Sequence, residues 1–223
     1  MEDFIPFFVI GGILIAVAAA IYFAWLYEKK RKEALGGLAD QMGLEYKPDG
    51  DANVHSAMSV FSLFNSGRRR KLTNLILGTT DEVSIAIFDY QYTTGSGKHQ
   101  HTHKQTVAAL SSQVLHCPQF FMRPEGMFDK IGSALGFQDI DFDSHPTFSK
   151  MFVLKGNDEG AIRQFFAPPV LEFFEQRKGI SVEAIPGRLV FYRPNKRVKP
   201  DEIKDLLSQA YEVFGIMADP KKV

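Results

Sequence analysis

Three histidines, His99, His101 and His103, alternate with other residues near the middle of the chain. Alternate side chains of a β-strand project from one face, so an extended backbone would place the three imidazoles side by side. Imidazole nitrogens at this spacing are suited to a divalent transition metal such as zinc. The pattern raises the hypothesis of a metal-dependent enzyme or a metal sensor. The alternative is a polar, solvent-facing stretch that follows a turn at residues 94–97.

Three aspartates, Asp139, Asp141 and Asp143, alternate in the same way, with Ile140 and Phe142 between them. In an extended segment the carboxylates share the solvent face and the two apolar side chains point into the core. Carboxylate oxygens suit hard cations, but the pattern of a calcium loop is absent. We expect these aspartates to form a solvated or ion-paired edge. The metal hypothesis instead requires that the fold bring them close to the three histidines.

The single cysteine, Cys117, directly follows His116. Neighbouring residues on a strand point to opposite faces, so His116 is poorly placed to act as a base for the thiol. We expect Cys117 to be a small apolar core residue. One cysteine also excludes an intramolecular disulfide. Nucleophile-elbow, metalloprotease, kinase and Rossmann motifs are absent from the sequence, which assigns no catalytic residue and no cofactor.

Two basic runs occur in a chain whose total charge is balanced, with 26 Lys and Arg against 26 Asp and Glu. The first run is Lys29, Lys30, Arg31 and Lys32, and the second is Arg68, Arg69, Arg70 and Lys71. Near a bilayer each such residue contributes about 1 kcal/mol of attraction to anionic headgroups. Both runs are therefore candidates for contact with the membrane surface, although the second could be a turn whose charges stay in water. The neutral total predicts no nucleic-acid partner.

Residues 4–27 contain no charged side chain. An α-helix needs about 20 such residues to cross the hydrocarbon core of a bilayer. We predict a transmembrane anchor at residues 1–27, with residues 4–27 in the lipid. A cleaved signal peptide is the alternative, but the amino end is acidic, the apolar run is longer than a signal core, and no polar mature start follows Ala18.

The charges on either side of this helix predict its orientation. Glu2 and Asp3 precede it, and the first basic run follows it, which favours a cytoplasmic location for the rest of the chain and an outside amino terminus. The helix also carries a small residue at every fourth position, which would let another helix approach closely: Gly12, Ala16, Ala20 and Ala24. This face is a candidate for self-association, unless Gly and Ala are present only because they are common in membrane spans.

Beyond the anchor we predict a juxtamembrane helix at residues 28–43 and one soluble domain at residues 44–223. Apolar, aromatic and threonine runs between turn-forming clusters predict strands at residues 57–64, 71–77, 83–93 and 102–111, with a short fifth strand at 119–122. Short connections predict that these strands form an antiparallel meander. Residues 180–184 and 188–192 flank Pro186-Gly187 and predict a later hairpin.

Helical periodicity accounts for most of the remaining chain. We predict helices at residues 124–136, after Asp158 and after Pro168, with a strand at residues 148–154, and a long amphipathic helix from Pro200 to about Asp219. The predicted class is α+β: a transmembrane helix, then a largely antiparallel sheet, made of a meander and a later hairpin, packed with several helices.

Residues 88–93 leading into Gly97-Lys98, the tripeptide at residues 123–125, and residues 139–143 followed by Phe148 carry a resemblance. In these stretches the chain resembles a group of uncharacterised bacterial proteins, which have one membrane helix followed by one α+β domain of unknown function. The resemblance implies an anchored bacterial domain of unknown function. The leading hypothesis is a single-pass protein of the inner membrane, a non-catalytic binding, scaffolding or accessory module. Its cytoplasmic domain would bind a protein partner or the membrane surface, or the protein would associate with itself.

Overall fold

The computed structural model describes residues 5–126 and 138–219, and of residues 5–10 it describes the backbone alone. The helices are α1 (Ile5–Met42), α2 (Ala52–Ala57), α3 (Pro146–Met151), α4 (Glu159–Phe165), α5 (Pro168–Glu175) and α6 (Ile203–Ala218). The strands are β1 (Glu45–Lys47), β2 (Arg68–Thr79), β3 (Ser84–Thr94), β4 (His101–Ser111), β5 (Phe120–Pro124), β6 (Phe152–Gly156), β7 (Ser181–Ile185) and β8 (Arg188–Tyr192). The helix predicted at residues 124–136 lies mostly outside the described residues.

The strands form one antiparallel sheet in the order β1-β2-β3-β4-β8-β7-β5-β6. The α+β class, the β2–β3–β4 meander and the β7–β8 hairpin are confirmed. The fifth strand belongs to the sheet but does not extend the meander, because the chain after β4 crosses the turn of the β7–β8 hairpin. Ser112 N–H donates to the Gly187 carbonyl there, and Gly187 N–H donates to the Leu115 carbonyl.

The two faces of the sheet are covered by different parts of the chain. One face packs against α6, α5, α4 and the second half of α1, and its core includes Phe148, Phe166 and Phe174. The other face packs against the segment that contains Phe61 and Phe64. The strands in the centre of the sheet are therefore buried on both sides, which explains why apolar side chains occur on both faces.

One strand prediction is wrong, and a second, at residues 148–154, is right only from Phe152, where β6 begins. Residues 57–64 form the end of α2 and two 3-10 turns, Met58–Val60 and Ser62–Asn65. Their aromatic side chains cover the sheet from outside, so burial explains the apolar run without strand pairing. The segment predicted as a strand at residues 148–154 is helical as far as Met151, because Pro146 starts α3 in its first turn.

Helix α1 is continuous for 38 residues, or about 57 Å. Its first part holds the one described segment that is long and apolar enough to cross a membrane. In its second part Arg31, Leu35 and Ala39 are at most 4% exposed and face the sheet at four-residue spacing. The residues predicted as a juxtamembrane helix are therefore the second half of α1, and Leu35 and Ala39 belong to the core of the domain.

Candidate functional site

A buried ion cluster joins α1 to the sheet where the apolar segment ends. The Arg31 guanidinium donates to both carboxylate oxygens of Asp89, from Nε and from Nη2, at 2.8 Å each. Its Nη1 donates to the Val198 carbonyl at 2.7 Å. This bidentate geometry is the strong form of an arginine–carboxylate pair and fixes the rotation of α1 on the sheet.

A second arginine extends the cluster to the first charged residue after the apolar segment. Arg197 Nε donates to Asp89 Oδ2 at 2.9 Å, and its Nη2 donates to Glu28 Oε2 at 2.7 Å. The Nη1 atom of Arg197 also contacts Glu28 Oε1. Together the two carboxylates and two guanidiniums connect α1, β3 and the segment before α6.

Local backbone geometry supplies the remaining partners of Asp89. Asn74 has a positive φ of 54° within a β-bulge of β2, a conformation that Asn tolerates better than most residues. Its side-chain nitrogen donates to Asp89 Oδ2 at 2.9 Å. The Thr106 hydroxyl donates to Asp89 Oδ1 at 2.8 Å. The buried carboxylate is thus fully hydrogen-bonded, which buried charges require.

The cluster keeps both of its acids ionised. Burial alone would raise the pKa of Asp89, but the Arg31 hydrogen bonds and the charges of Arg197 and Arg31 hold the pKa of Asp89 below its ordinary value. The Arg197 hydrogen bond likewise lowers the pKa of Glu28. The cluster offers no nucleophile and no weakly held proton, so its role is to hold α1 in place.

The sequence predicted Arg31 as a membrane-surface residue, and the structure corrects this. Arg31 is 4% exposed and its guanidinium is fully engaged inside the domain. Its neighbours Lys29 and Lys30 are exposed, and Lys32 pairs with Asp49 at 2.8 Å. The sequence signal for the cluster was Asp89 itself, the one charged residue of strand β3.

An apolar cleft of about 310 Å³ lies on the other face of the sheet, between residues 60–67 and strands β5–β7. Phe61, Phe120, Phe121 and Ile185 line it, and Val60 at its edge is 45% exposed. Such a mainly apolar, partly open cleft is suited to apolar groups of a ligand or partner.

Glu183 forms part of the wall of this cleft and fixes the segment above it. Its carboxylate accepts hydrogen bonds from the backbone N–H groups of Ser62 and Leu63, at 2.5 and 3.0 Å, and from the Tyr192 hydroxyl. Burial raises the pKa of Glu183 to about 7, although these donors oppose the shift. Residues 57–64 are not in a strand, so no neighbouring strand pairs with their backbone. The Glu183 carboxylate accepts hydrogen bonds from two of their backbone N–H groups instead.

The three histidines do not share a face. His99 lies in the 3-10 turn Gly97–His99, off the strand, while His101 and His103 lie on β4. His103 is buried, stacks on Tyr92, and uses both ring nitrogens in hydrogen bonds to Thr94 and Asn195. The expectation of three imidazoles on one face is therefore wrong, because the turn ends at His99 and the strand starts after it.

The aspartates keep the predicted alternation but not in a strand. Ile140 and Phe142 are buried, while Asp139, Asp141 and Asp143 are exposed. Asp139 accepts a hydrogen bond from the Leu154 N–H at 2.8 Å. Among the described residues no group of three or more His, Cys, Asp or Glu side chains is placed to hold a metal ion.

Cys117 is buried, and its burial raises the pKa of the thiol to about 11. A thiol that stays protonated is a poor nucleophile, which agrees with the predicted core role. The second basic run, Arg68 to Lys71, is exposed at the start of β2. The small residues Gly12, Ala16, Ala20 and Ala24 are exposed on α1.

The fold resembles the crystal structure of the mycobacterial trehalose monomycolate transport factor A, TtfA. The TM-score is 0.57 and the sequence identity 13%, over 85% of this chain and 94% of that chain. At this identity the likeness concerns the fold alone. No protein-family model and no curated protein matches the chain.

Proposed function

We propose that the chain is a membrane-anchored, non-catalytic accessory module whose cytoplasmic domain binds a protein partner at the inner membrane. The observation that carries this proposal is the buried cluster of Arg31, Asp89, Arg197 and Glu28. It clamps the helix that holds the apolar segment onto the sheet, without a linker between them. A domain held in this way presents its surfaces at a constant height above the bilayer, as a scaffold for a membrane complex requires.

The mycobacterial protein of similar fold is named a transport factor. This name supports an accessory role in a membrane process for the present chain. We propose that the partner binds at the cleft beside Val60. The cleft is apolar and partly open, so an apolar side chain of the partner could fill it, and the exposed Val60 would contact the same partner.

Membrane fractionation tests the anchor. Removal of residues 1–27 should release the domain into the soluble fraction and leave Glu28 and its partners intact. A truncated protein that still sediments with membranes at high salt would show that α1 is not the main attachment.

Copurification of the full-length protein from native membranes tests the partner. A reproducible partner should be lost in Val60→Asp and retained in Val114→Asp, since Val114 has almost the same exposure, 47% against 45%, but lies outside the cleft. Equal losses in the two variants, or no partner with wild type, would contradict the proposal.

A further inference from the structure

Helix α1 and strand β2 run side by side, so the direction of the membrane along the sheet is known. Gly36 lies against the ring of Tyr46, which pairs with Ile76 of β2. Four residues earlier in α1, Lys32 pairs with Asp49, and both line a polar cleft that also contains Lys71. The start of β2 therefore points to the same side as the apolar segment of α1.

The ion pair between Arg31 and Asp89 sets the height of each row of the sheet. Lys71, Gln91 and Lys104 lie opposite one another on β2, β3 and β4, two residues beyond Asp89 along β3. Two strand residues span about 6.6 Å, and the four helical residues from Arg31 to Tyr27 rise about 6 Å. This row is consequently level with the end of the apolar segment, at the height of lipid headgroups.

The strand ends beyond this row carry basic charge and no acidic charge. Residues 65–71, 90–104 and 193–199 contain no Asp or Glu. The last of these segments lies along β4, since Asn195 bonds to His103 and the Lys196 carbonyl accepts from Thr106 N–H. At the opposite end of the meander the β2–β3 turn holds Asp81 and Glu82. The meander thus has basic residues at the end nearest the apolar segment and acidic residues in the turn at its opposite end.

Several of these cations make no hydrogen bond and no close ion pair within the part of the chain that the structure describes, although Asp49 and Glu28 line the same cleft as Lys71 and Lys104. Lys71, Lys98 and Lys104 are exposed and make no hydrogen bond there. Arg68 and Arg70 instead brace the edge: Arg68 Nη1 donates to the Gly95 carbonyl at 2.6 Å, and Arg70 donates to the carbonyls of residues 65–67. Arg68 thus holds the start of β2 against the β3–β4 turn, and Arg70 holds the loop that precedes β2, while the three lysines face solvent.

We propose that this basic edge, formed by Lys71, Lys98, Lys104 and the Arg68–Arg70 run, docks on anionic phospholipid headgroups of the leaflet that α1 enters. The inference rests on the proposed function, because it requires the anchored cytoplasmic domain. Lipid is favoured over a soluble anion because the edge lies at the height of the headgroups. The distance between the lysines and the headgroup charges is then within the screening length, which is about 8 Å at physiological salt. Each lysine should raise the ratio of docked to undocked domain about fivefold.

Fluorescence quenching in nanodiscs tests the docking. A fluorophore on Ser96→Cys reports the β3–β4 turn, since buried Cys117 stays unlabelled. The full-length protein is reconstituted in discs of phosphatidylcholine, with or without phosphatidylglycerol, that contain a lipid with a nitroxide headgroup. Quenching should be stronger with phosphatidylglycerol and should fall at about 1 M salt, where the screening length is about 3 Å.

A triple variant, Lys71→Gln, Lys98→Gln and Lys104→Gln, should lower the docked-to-undocked ratio about a hundredfold. The matched control, Gln113→Glu, Gln164→Glu and Ser84→Asp, changes the net charge equally at exposed positions away from this edge and from the apolar cleft, and should dock like wild type. Equal quenching by the two lipid mixtures, or by the lysine variant and wild type, would overturn the proposal.

Two further outcomes have distinct meanings. Release of the docked domain at low salt by inorganic phosphate or a short DNA duplex, at concentrations that leave the ionic strength unchanged, would assign the edge to a soluble anion and overturn the lipid assignment. Failure of the protein to enter the discs would instead contradict the anchor in the proposed function.

Discussion

Removal of the Asp89 carboxylate should destabilise the whole domain. In Asp89→Ala the Arg31 guanidinium, 4% exposed, keeps only the Val198 carbonyl and a distant Thr106 hydroxyl as partners. Breaking one side of a buried ion pair costs about 3–5 kcal/mol. For a domain of this size that loss corresponds to a fall in Tm of about 6–20 °C.

Thermal unfolding of the full-length protein in mild detergent, followed by circular dichroism, measures this loss. Asp49→Ala is the matched control, because Asp49 forms an ion pair with Lys32 on the surface, with its side chain 88% exposed, and should leave the Tm almost unchanged. The double variant Arg31→Met with Asp89→Leu removes the Arg31–Asp89 pair, leaves Arg197 its contacts with Glu28, and should recover part of the stability. If Asp89→Ala and Asp49→Ala melt alike, the cluster does not clamp α1.

Three further predictions concern other buried or formerly predicted sites. Glu183 has a folded-state pKa of about 7 against an unfolded value of 4.5, so its protonated form favours the folded state; its own contribution to stability should be complete below pH 4.5 and fall by about 3 kcal/mol as the pH rises to about 7. Urea unfolding at several pH values should show this slope in wild type and not in Glu183→Gln, and a slope retained by the variant would assign it to another group. Cys117 should react with a thiol reagent at pH 8 only after unfolding, because its pKa of about 11 leaves about one thiolate in a thousand; rapid labelling of the native protein would contradict its burial. Zinc, nickel or manganese should not raise the Tm, and a rise that is lost in His99→Ala/His101→Ala/His103→Ala would restore the metal hypothesis.

The elements that depend on local composition were predictable from the sequence. The apolar segment needs only an uncharged run of sufficient length, and α6 needs only apolar residues at helical spacing. The meander and the later hairpin followed from strand-forming runs with short connections. Errors arose where an apolar run is buried by tertiary packing, as for Phe61 and Phe64, or where one proline changes the element, as at Pro146.

The candidate site depended on pairings between distant parts of the chain. Arg31 and Asp89 are 58 positions apart, and Arg31 and Val198 are 167 apart. A basic run beside a membrane segment is the same pattern whether its arginine faces lipid or the core. Only the packing of α1 against the sheet decides between the two, since it places one arginine against a buried carboxylate and leaves the adjacent Lys29 and Lys30 in water.

The sequence by itself determined that the chain carries a segment able to span a membrane, followed by an α+β domain. The tertiary structure decided that this segment and the domain share one helix, and that the basic residues separate into a buried clamp and an exposed edge. The physical reason is that hydrophobic length and periodicity are local properties, whereas the pairing of a charge depends on which distant side chain the fold brings to it.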